Sequence, residues 1–130
     1  MKKFVSKMLA GALSLSMLCG VAAAEGETYV SWYTFGDVYL SSVRTALDAA
    51  MEAKGLKGVD EDSNANQQTQ TDDINTALVT GANAIVINLV ESGAIGTAEN
   101  LMNAVSAQNL PVVFFNRAVS TDNAEAEALF

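Results

Sequence analysis

Two apolar runs, Ala84–Val90 (AIVINLV) and Val112–Phe115 (VVFF), constrain the fold of this chain more than any other feature. Neither alternates apolar with polar residues, so neither reads as a strand with one wet face. Continuous apolar runs of this length are strands buried on both sides, as in a parallel sheet between two layers of helices. The second run follows Gln108-Asn109-Leu110-Pro111, a polar helix end and the chain's single proline, and it delivers Asn116 at its end. In open α/β sheets, ligands settle in the crevice outside the carboxyl ends of the strands. Asn116 therefore stands where a site would form.

The remaining sequence alternates in the same sense. Thr28 to Tyr33 (TYVSWY) is rich in β-branched and aromatic residues and reads as a first strand. Asp37 caps a helix that runs to about Lys54 and closes at Gly55. Tyr39, Val43, Ala46, Leu47, Ala50 and Met51 recur at spacings of three and four and predict its buried face. Gly58 to Asp62 is a weak, acidic second strand, and Asn64 to Gln70 reads as loop or first turn. A second helix spans about Gln67 to Thr80, with Ile74, Ala77 and Leu78 inward and Gly81 as its stop. A third covers about Ala94 to Ala107, and Thr121 to Leu129 could start another. The order β-α-β-α-β-α-β predicts an α/β fold, an open parallel sheet with right-handed helical crossovers and helices on both faces. It is one half of a doubly wound domain.

Residues 1–24 read as a signal peptide rather than as part of the fold. Lys2, Lys3 and Lys7 precede a mostly apolar stretch from Met8 to Val21, and Ala22-Ala23-Ala24 supplies a small-residue cleavage site. The apolar stretch is too short for a stable membrane span. Export to the periplasm is expected. Cys19, the single cysteine, lies within this segment behind bulky Leu18, so lipid anchoring there is not expected. Without it, residues 25–130 carry no cysteine and hence no disulfide framework or thiol chemistry.

After such a cleavage, Arg44, Lys54, Lys57 and Arg117 face all fifteen acidic residues, a formal charge of −11. So acidic a surface argues against nucleic acid or anionic lipid as a partner. There is no histidine, which removes the commonest general base and metal ligand. No glycine-rich phosphate motif, no G-x-S-x-G elbow and no nucleophile–base pair is present. Asp60, Glu61 and Asp62 lack the glycine and closing glutamate of a calcium loop and read as a solvated strand end.

Five residues remain as a candidate binding set: Tyr33, Asp37, Tyr39, Asn116 and Arg117. All fall at the carboxyl edge of the predicted sheet. Carboxylate, amide and guanidinium groups can pair with sugar hydroxyls, and aromatic rings offer flat apolar area to the C–H face of a sugar. Each residue also has an ordinary reading. Asp37 could be only a helix cap, Tyr39 only core, Asn116 only the start of a loop, and Arg117 only a solvated charge.

Val30 to Arg44 (VSWYTFGDVYLSSVR), Ile87-Asn88-Leu89-Val90 and Gln108 to Asn116 (QNLPVVFFN) resemble the sugar-binding periplasmic proteins of the type I fold, above all their galactose/glucose branch. The resemblance covers nearly all of residues 25–130 in register. It implies two α/β lobes joined by a hinge that close on one pyranose, with 25–130 as a partial N-terminal lobe. It further implies that Asp37 and Asn116 hydrogen-bond sugar hydroxyls, that Tyr39 takes the place of a stacking phenylalanine, and that Tyr33 and Arg117 match a tyrosine and a lysine of the family. Gly36 stands where the family carries another acid, and residues 118–120 read AVS in place of a proline-containing turn.

The implied function is capture of galactose or glucose for an ABC permease, without catalysis, by a monomer that binds no nucleic acid. A chemoreceptor relay and a ribose-type binder are the alternatives. A sugar-responsive repressor shares the fold but would carry a helix-turn-helix before the first strand. The family's calcium site, further sugar ligands and second stacking ring belong to a second lobe, so no cofactor is expected in this fragment.

Overall fold

The computed structural model describes residues 26–117 and 119. The predicted signal peptide with Cys19, and the helix foreseen over Thr121–Leu129, lie outside the described residues. Seven elements follow one another: β1 (Glu27–Trp32), α1 (Val38–Ala53), β2 (Gly58–Asp62), α2 (Gln67–Thr80), β3 (Ala82–Ile87), α3 (Ile95–Ser106) and β4 (Val112–Phe114). The strands form one parallel sheet in the order β2-β1-β3-β4. The α/β class and the open parallel sheet are as the sequence predicts.

That strand order fixes the layers. From β1 the chain steps to β2 on one side, then returns past β1 to β3 and onward to β4. Crossovers of one hand then put α1 on one face and α2 and α3 on the other. Side-chain packing agrees. Val30 and Trp32 of β1 meet Leu40 and Met51 of α1. Ile85 and Ile87 of β3 meet Ile74 and Ala77 of α2, and Ala98, Leu101 and Val105 of α3. Each large aliphatic side chain so buried contributes about 1.5–3 kcal/mol. Register keeps the faces separate: Val30 pairs with Val86, and Val86 with Val113, toward α1, whereas Ile85 pairs with Val112, and Ile87 with Phe114, toward α3. Val113 remains 54% exposed, because α1 covers the β1–β2 side of its face.

The inner face of α1 and the limits of β3 differ most from the sequence reading. The inner face of α1 is Leu40, Val43, Leu47 and Met51, whereas Tyr39, Ala46 and Ala50 point outward. The stripe advances by three or four residues from Leu40; Val43, Leu47 and Met51 are as the sequence predicts, and the prediction departs at Tyr39, taken in place of Leu40, and at Ala46 and Ala50. Strand β3 begins at Ala82 and ends at Ile87, two residues early at its start and three at its end. Gly81 closes α2 in the left-handed region (φ 94°), its N–H bonded to the Ala77 carbonyl, and turns the chain directly into the sheet. Leu89 and Val90 leave the ladder yet stay buried, so their hydropathy marks the core and not the strand. Among the described residues no helix is long and apolar enough to cross a membrane.

Candidate functional site

The chain reverses direction across the sheet at β1, so the carboxyl ends of β1 and β3 flank the switch point where α/β sheets open a crevice. Four loops converge there, one after each strand. A buried polar layer carries them. Ser31, Ser63, Gln70 and Asn88 are all nearly or fully inaccessible. Gln70 Nε2 donates to Ser31 Oγ (2.9 Å) and to the Asn88 carbonyl (3.1 Å), and Gln70 Oε1 accepts from Val90 N (3.0 Å). Asn88 Oδ1 accepts from Tyr33 N (3.2 Å), and its Nδ2 donates to the Phe115 carbonyl (3.4 Å). Among the described residues, no buried side-chain nitrogen or oxygen lacks a partner. A fully satisfied buried network is rigid, because each lost bond would leave a desolvated group behind.

On this layer sits the loop from β1 to α1. Asp62 Oδ1 accepts from Phe35 N (3.1 Å) and Asn64 N (2.8 Å), and Ala65 N donates to the Tyr33 carbonyl (2.7 Å), so the loop after β2 holds the loop after β1. Asp37 is the N-cap of α1; its Oδ1 accepts from Leu40 N at 2.9 Å. A carboxylate offers about four lone-pair sites on two oxygens, so capping leaves capacity for a ligand. Tyr39 is 64% exposed and Val38 84%, and Phe35 is also exposed. The core reading of Tyr39 is therefore wrong. Phe35, Val38 and Tyr39 form an apolar lip, with the Arg44 guanidinium 3.7 Å from the centroid of the Phe35 ring.

The end of β4 supplies the other side. Asn116 is exposed and left-handed (φ 64°), a conformation asparagine tolerates better than most residues. Arg117 is not a freely solvated charge. Its Nη1 donates to the carbonyls of Leu89 (2.9 Å) and Val90 (2.6 Å), and its guanidinium lies 4.6 Å from the centroid of the Tyr33 ring. Tyr33 and Arg117 are thus in contact; Asp37 and Tyr39 share the first turn of α1.

Electrostatics beside the site is dominated by acids. Burial, first of all, raises the Asp60 carboxyl above the ordinary range; the indole of Trp32 opposes the shift, Asp48 adds to it and Arg44 offsets part. Burial likewise raises Glu61 and Asp73, each with acidic neighbours. Among the described residues, no group of three or more His, Cys, Asp or Glu converges on a metal position. A groove of about 790 Å³ runs between α2 and α3, lined among others by Asn66, Gln67, Asn75, Glu91 and Asn100. None of the five predicted residues lines it.

Sequence reasoning missed Asn88 and Gln70 as organisers of the edge. Asn88 carried a signal, a carboxamide inside the apolar run AIVINLV; Gln70, in a polar stretch of like residues, carried none.

The carboxyl edge of the parallel sheet thus carries a capping carboxylate at Asp37, exposed rings at Phe35 and Tyr39, and an anchored guanidinium at Arg117. Residues 28–129 match the model of the periplasmic binding protein domain, and the chain belongs to that family. It is 33% identical, over 119 residues covering 89% of its length, to the D-galactose/methyl-galactoside binding periplasmic protein MglB of Haemophilus influenzae. It is 26% identical, over 96% of its length, to the ribose import binding protein RbsB of Bacillus subtilis. The chain spans 34% and 44% of these two proteins. Among solved structures, it superimposes on a galactofuranose binding protein (TM-score 0.68, 15% identity, 78% of this chain and 33% of that one). It also superimposes on the periplasmic binding component of the arabinose ABC transporter from Shewanella sp. ANA-3 (TM-score 0.67, 19% identity, 80% and 32%). Likeness at that identity establishes the fold.

Proposed function

We propose that this chain is the N-terminal part of an exported binding protein that captures a galactose- or glucose-type monosaccharide for an ABC permease, with residues 1–24 as its export signal. The observation that carries the reading is the mouth of the switch point. Tyr39 and Phe35 are held outward on a lip next to Asp37, and Arg117 is anchored beside Tyr33 at the end of β4. Exposed rings beside fixed hydrogen-bonding groups suit a ligand with one apolar face and a rim of hydroxyls. The relative with the higher identity, named for D-galactose and methyl-galactoside, supports the pyranose.

In this reading Asp37 and Asn116 bond hydroxyls, Tyr39 packs on the ring face, and Tyr33 and Arg117 close the side. No residue performs chemistry. The lobe forms one wall of the cleft; the other wall belongs to the part of the relatives' length that this chain does not span. A ribose-type ligand is the second reading, favoured by the match to the Bacillus subtilis ribose import protein.

The test is titration with D-galactose, D-glucose, D-ribose and L-arabinose, followed by calorimetry and by the fluorescence of Trp32. That indole is the chain's single tryptophan, is 1% exposed, and meets Phe115 edge-on at 5.1 Å, one residue before Asn116. A response to galactose or glucose supports the reading. A response confined to ribose or arabinose replaces the pyranose, and silence toward all four removes the sugar.

A further inference from the structure

We infer that Asn88 is the positioning residue that sets Tyr33 and Asn116 against each other across the switch point. The inference rests on the sugar reading for what those two residues do, though not for how they are held.

The backbone ladder stops just short of the site. The β1–β3 pairing ends at Ser31 and Ile87, and the β3–β4 pairing at Ile87 and Phe114. The last backbone bonds beyond those pairs are Asn88 N to Ser31 O (2.8 Å) and Phe115 N to Ile87 O (3.0 Å). One residue further, where the strands separate into loops, the Asn88 carboxamide takes over. Its oxygen accepts the Tyr33 N–H on one side, and its nitrogen donates to the Phe115 carbonyl on the other. A carboxamide carries acceptor and donor on one planar group, so it can join an N–H of one strand to a C=O of another. Turning it over would set oxygen against oxygen and N–H against N–H.

Both contacts fall on peptide groups that aim a site residue. The Tyr33 amide fixes the start of the β1–α1 loop. The Phe115 carbonyl belongs to the peptide unit that enters Asn116, whose left-handed backbone is set by that plane. Asn88 is wholly buried and is itself held by Gln70 through its own carbonyl. Of the site's ties, Arg117 fastens the β4 end to Leu89 and Val90 of the β3 loop; the Asn88 side chain reaches both β1 and β4.

The experiment uses the full chain, 15N-labelled, as Asn88→Asp beside the unsubstituted protein. Asn88→Asp keeps an oxygen for the Tyr33 N–H but turns a carboxylate oxygen toward the Phe115 carbonyl. Protonation restores a donor at that position, and burial favours the protonated form. Arg117, fastened to the carbonyls of Leu89 and Val90, acts against that shift. At pH 8 the amide signals of Asn116 and Arg117 move, while those of Ile85 and Leu101 in the α3-side core stay; at pH 5 the moved signals return. D-galactose affinity follows them, about tenfold weaker at pH 8 and restored at pH 5, the scale of one lost hydrogen bond. The unsubstituted chain, run in parallel, accounts for the titration of Asp60, Glu61 and Asp73.

Unmoved Asn116 and Arg117 signals at pH 8 overturn the inference, as does a shift that stays at pH 5, which marks general disruption. If the variant does not fold, the unsubstituted chain decides: a slowly exchanging Asn88 side-chain amide and a protected Tyr33 N–H are expected, and fast exchange at both refutes the role. Movement of those signals together with no response of the unsubstituted chain to D-galactose, D-glucose or D-ribose upholds the positioning role and removes the sugar reading alone.

Discussion

Trp32 donates its indole N–H to Asp60 at 2.8 Å, two residues out of register across the β1–β2 pair. The single tryptophan is thereby tied to a half-buried carboxylate with Asp48 and Arg44 as its charged neighbours. Burial raises the Asp60 carboxyl above its unfolded value, and Glu61 and Asp73 shift the same way. The folded state therefore binds these protons more tightly than the unfolded chain. Stability should rise as pH falls through the folded values, and level off below the ordinary carboxylate range near about pH 4. Urea midpoints are expected to increase from pH 7 to pH 5. Asp60→Asn keeps an oxygen for the indole and should flatten part of that slope. A midpoint that decreases over this interval would contradict the sign.

Asp37 has two separable duties. As N-cap it accepts the Leu40 N–H, and Asp37→Ala should cost about 1 kcal/mol of stability. Asn caps a helix nearly as well as Asp, so Asp37→Asn should leave thermal unfolding almost unchanged. A charge-assisted hydrogen bond is roughly twice as strong as a neutral one, so sugar affinity should still fall in the Asn variant. Calorimetry on the two variants separates the duties. Wild-type affinity with Asn at 37 would mean that the carboxylate is a cap and nothing more.

Gln70 joins three elements from inside: Ser31 on β1, the Asn88 carbonyl after β3, and the Val90 N–H beyond it. Gln70→Ala strands the Val90 donor in a buried place and opens a void. The loss should reach about 2–4 kcal/mol, since an unsatisfied buried group alone costs 1–3. Gln70→Glu retains the acceptor for Val90 but sets a second oxygen against the Asn88 carbonyl, so it too should destabilise. Urea unfolding with an unchanged slope reads the effect cleanly. A change below about 0.5 kcal/mol in both variants would class Gln70 with ordinary surface positions.

The frame of this molecule was legible because two of its strands, β3 and β4, are nearly continuous apolar runs. AIVINLV and VVFF could belong to little else, and Gly81 marked the end of α2 by the one property no other residue shares at φ 94°. The α1 face was read correctly at Val43, Leu47 and Met51 and misread at its first turn. A tyrosine at the first turn outweighed Leu40 in the pattern, although its ring serves no core. Apolar periodicity cannot tell a ring buried in a core from one exposed for a ligand. Arg117 was read as free or ligand-bound because its partners are the carbonyls of Leu89 and Val90, about 28 residues away, and backbone acceptors leave no trace in composition. The same limit hid Gln70, whose role arises only once β1 and β3 lie side by side.

Tyr39 offers the sharpest division between folding and binding. Its side chain is 64% exposed at the second position of α1, beyond the Leu40–Met51 stripe that anchors the helix. Truncation there removes no core packing, so Tyr39→Ala should change stability by less than about 0.5 kcal/mol. An exposed ring beside Val38 at 84% exposure and Phe35 gives the solvated chain an apolar patch with no structural return. A sugar face laid on it would remove that patch from water. Tyr39→Ala should then weaken binding of the responsive monosaccharide about tenfold or more, near 1.4 kcal/mol. Tyr39→Phe keeps the flat area and should bind within about twofold of wild type, the size of a contact made by the ring face rather than the hydroxyl. Equal loss in both variants would assign the contact to the phenolic oxygen instead. No loss in either would move the ligand off the α1 lip and leave the β4 side, Asn116 with Arg117, as the surface that holds it.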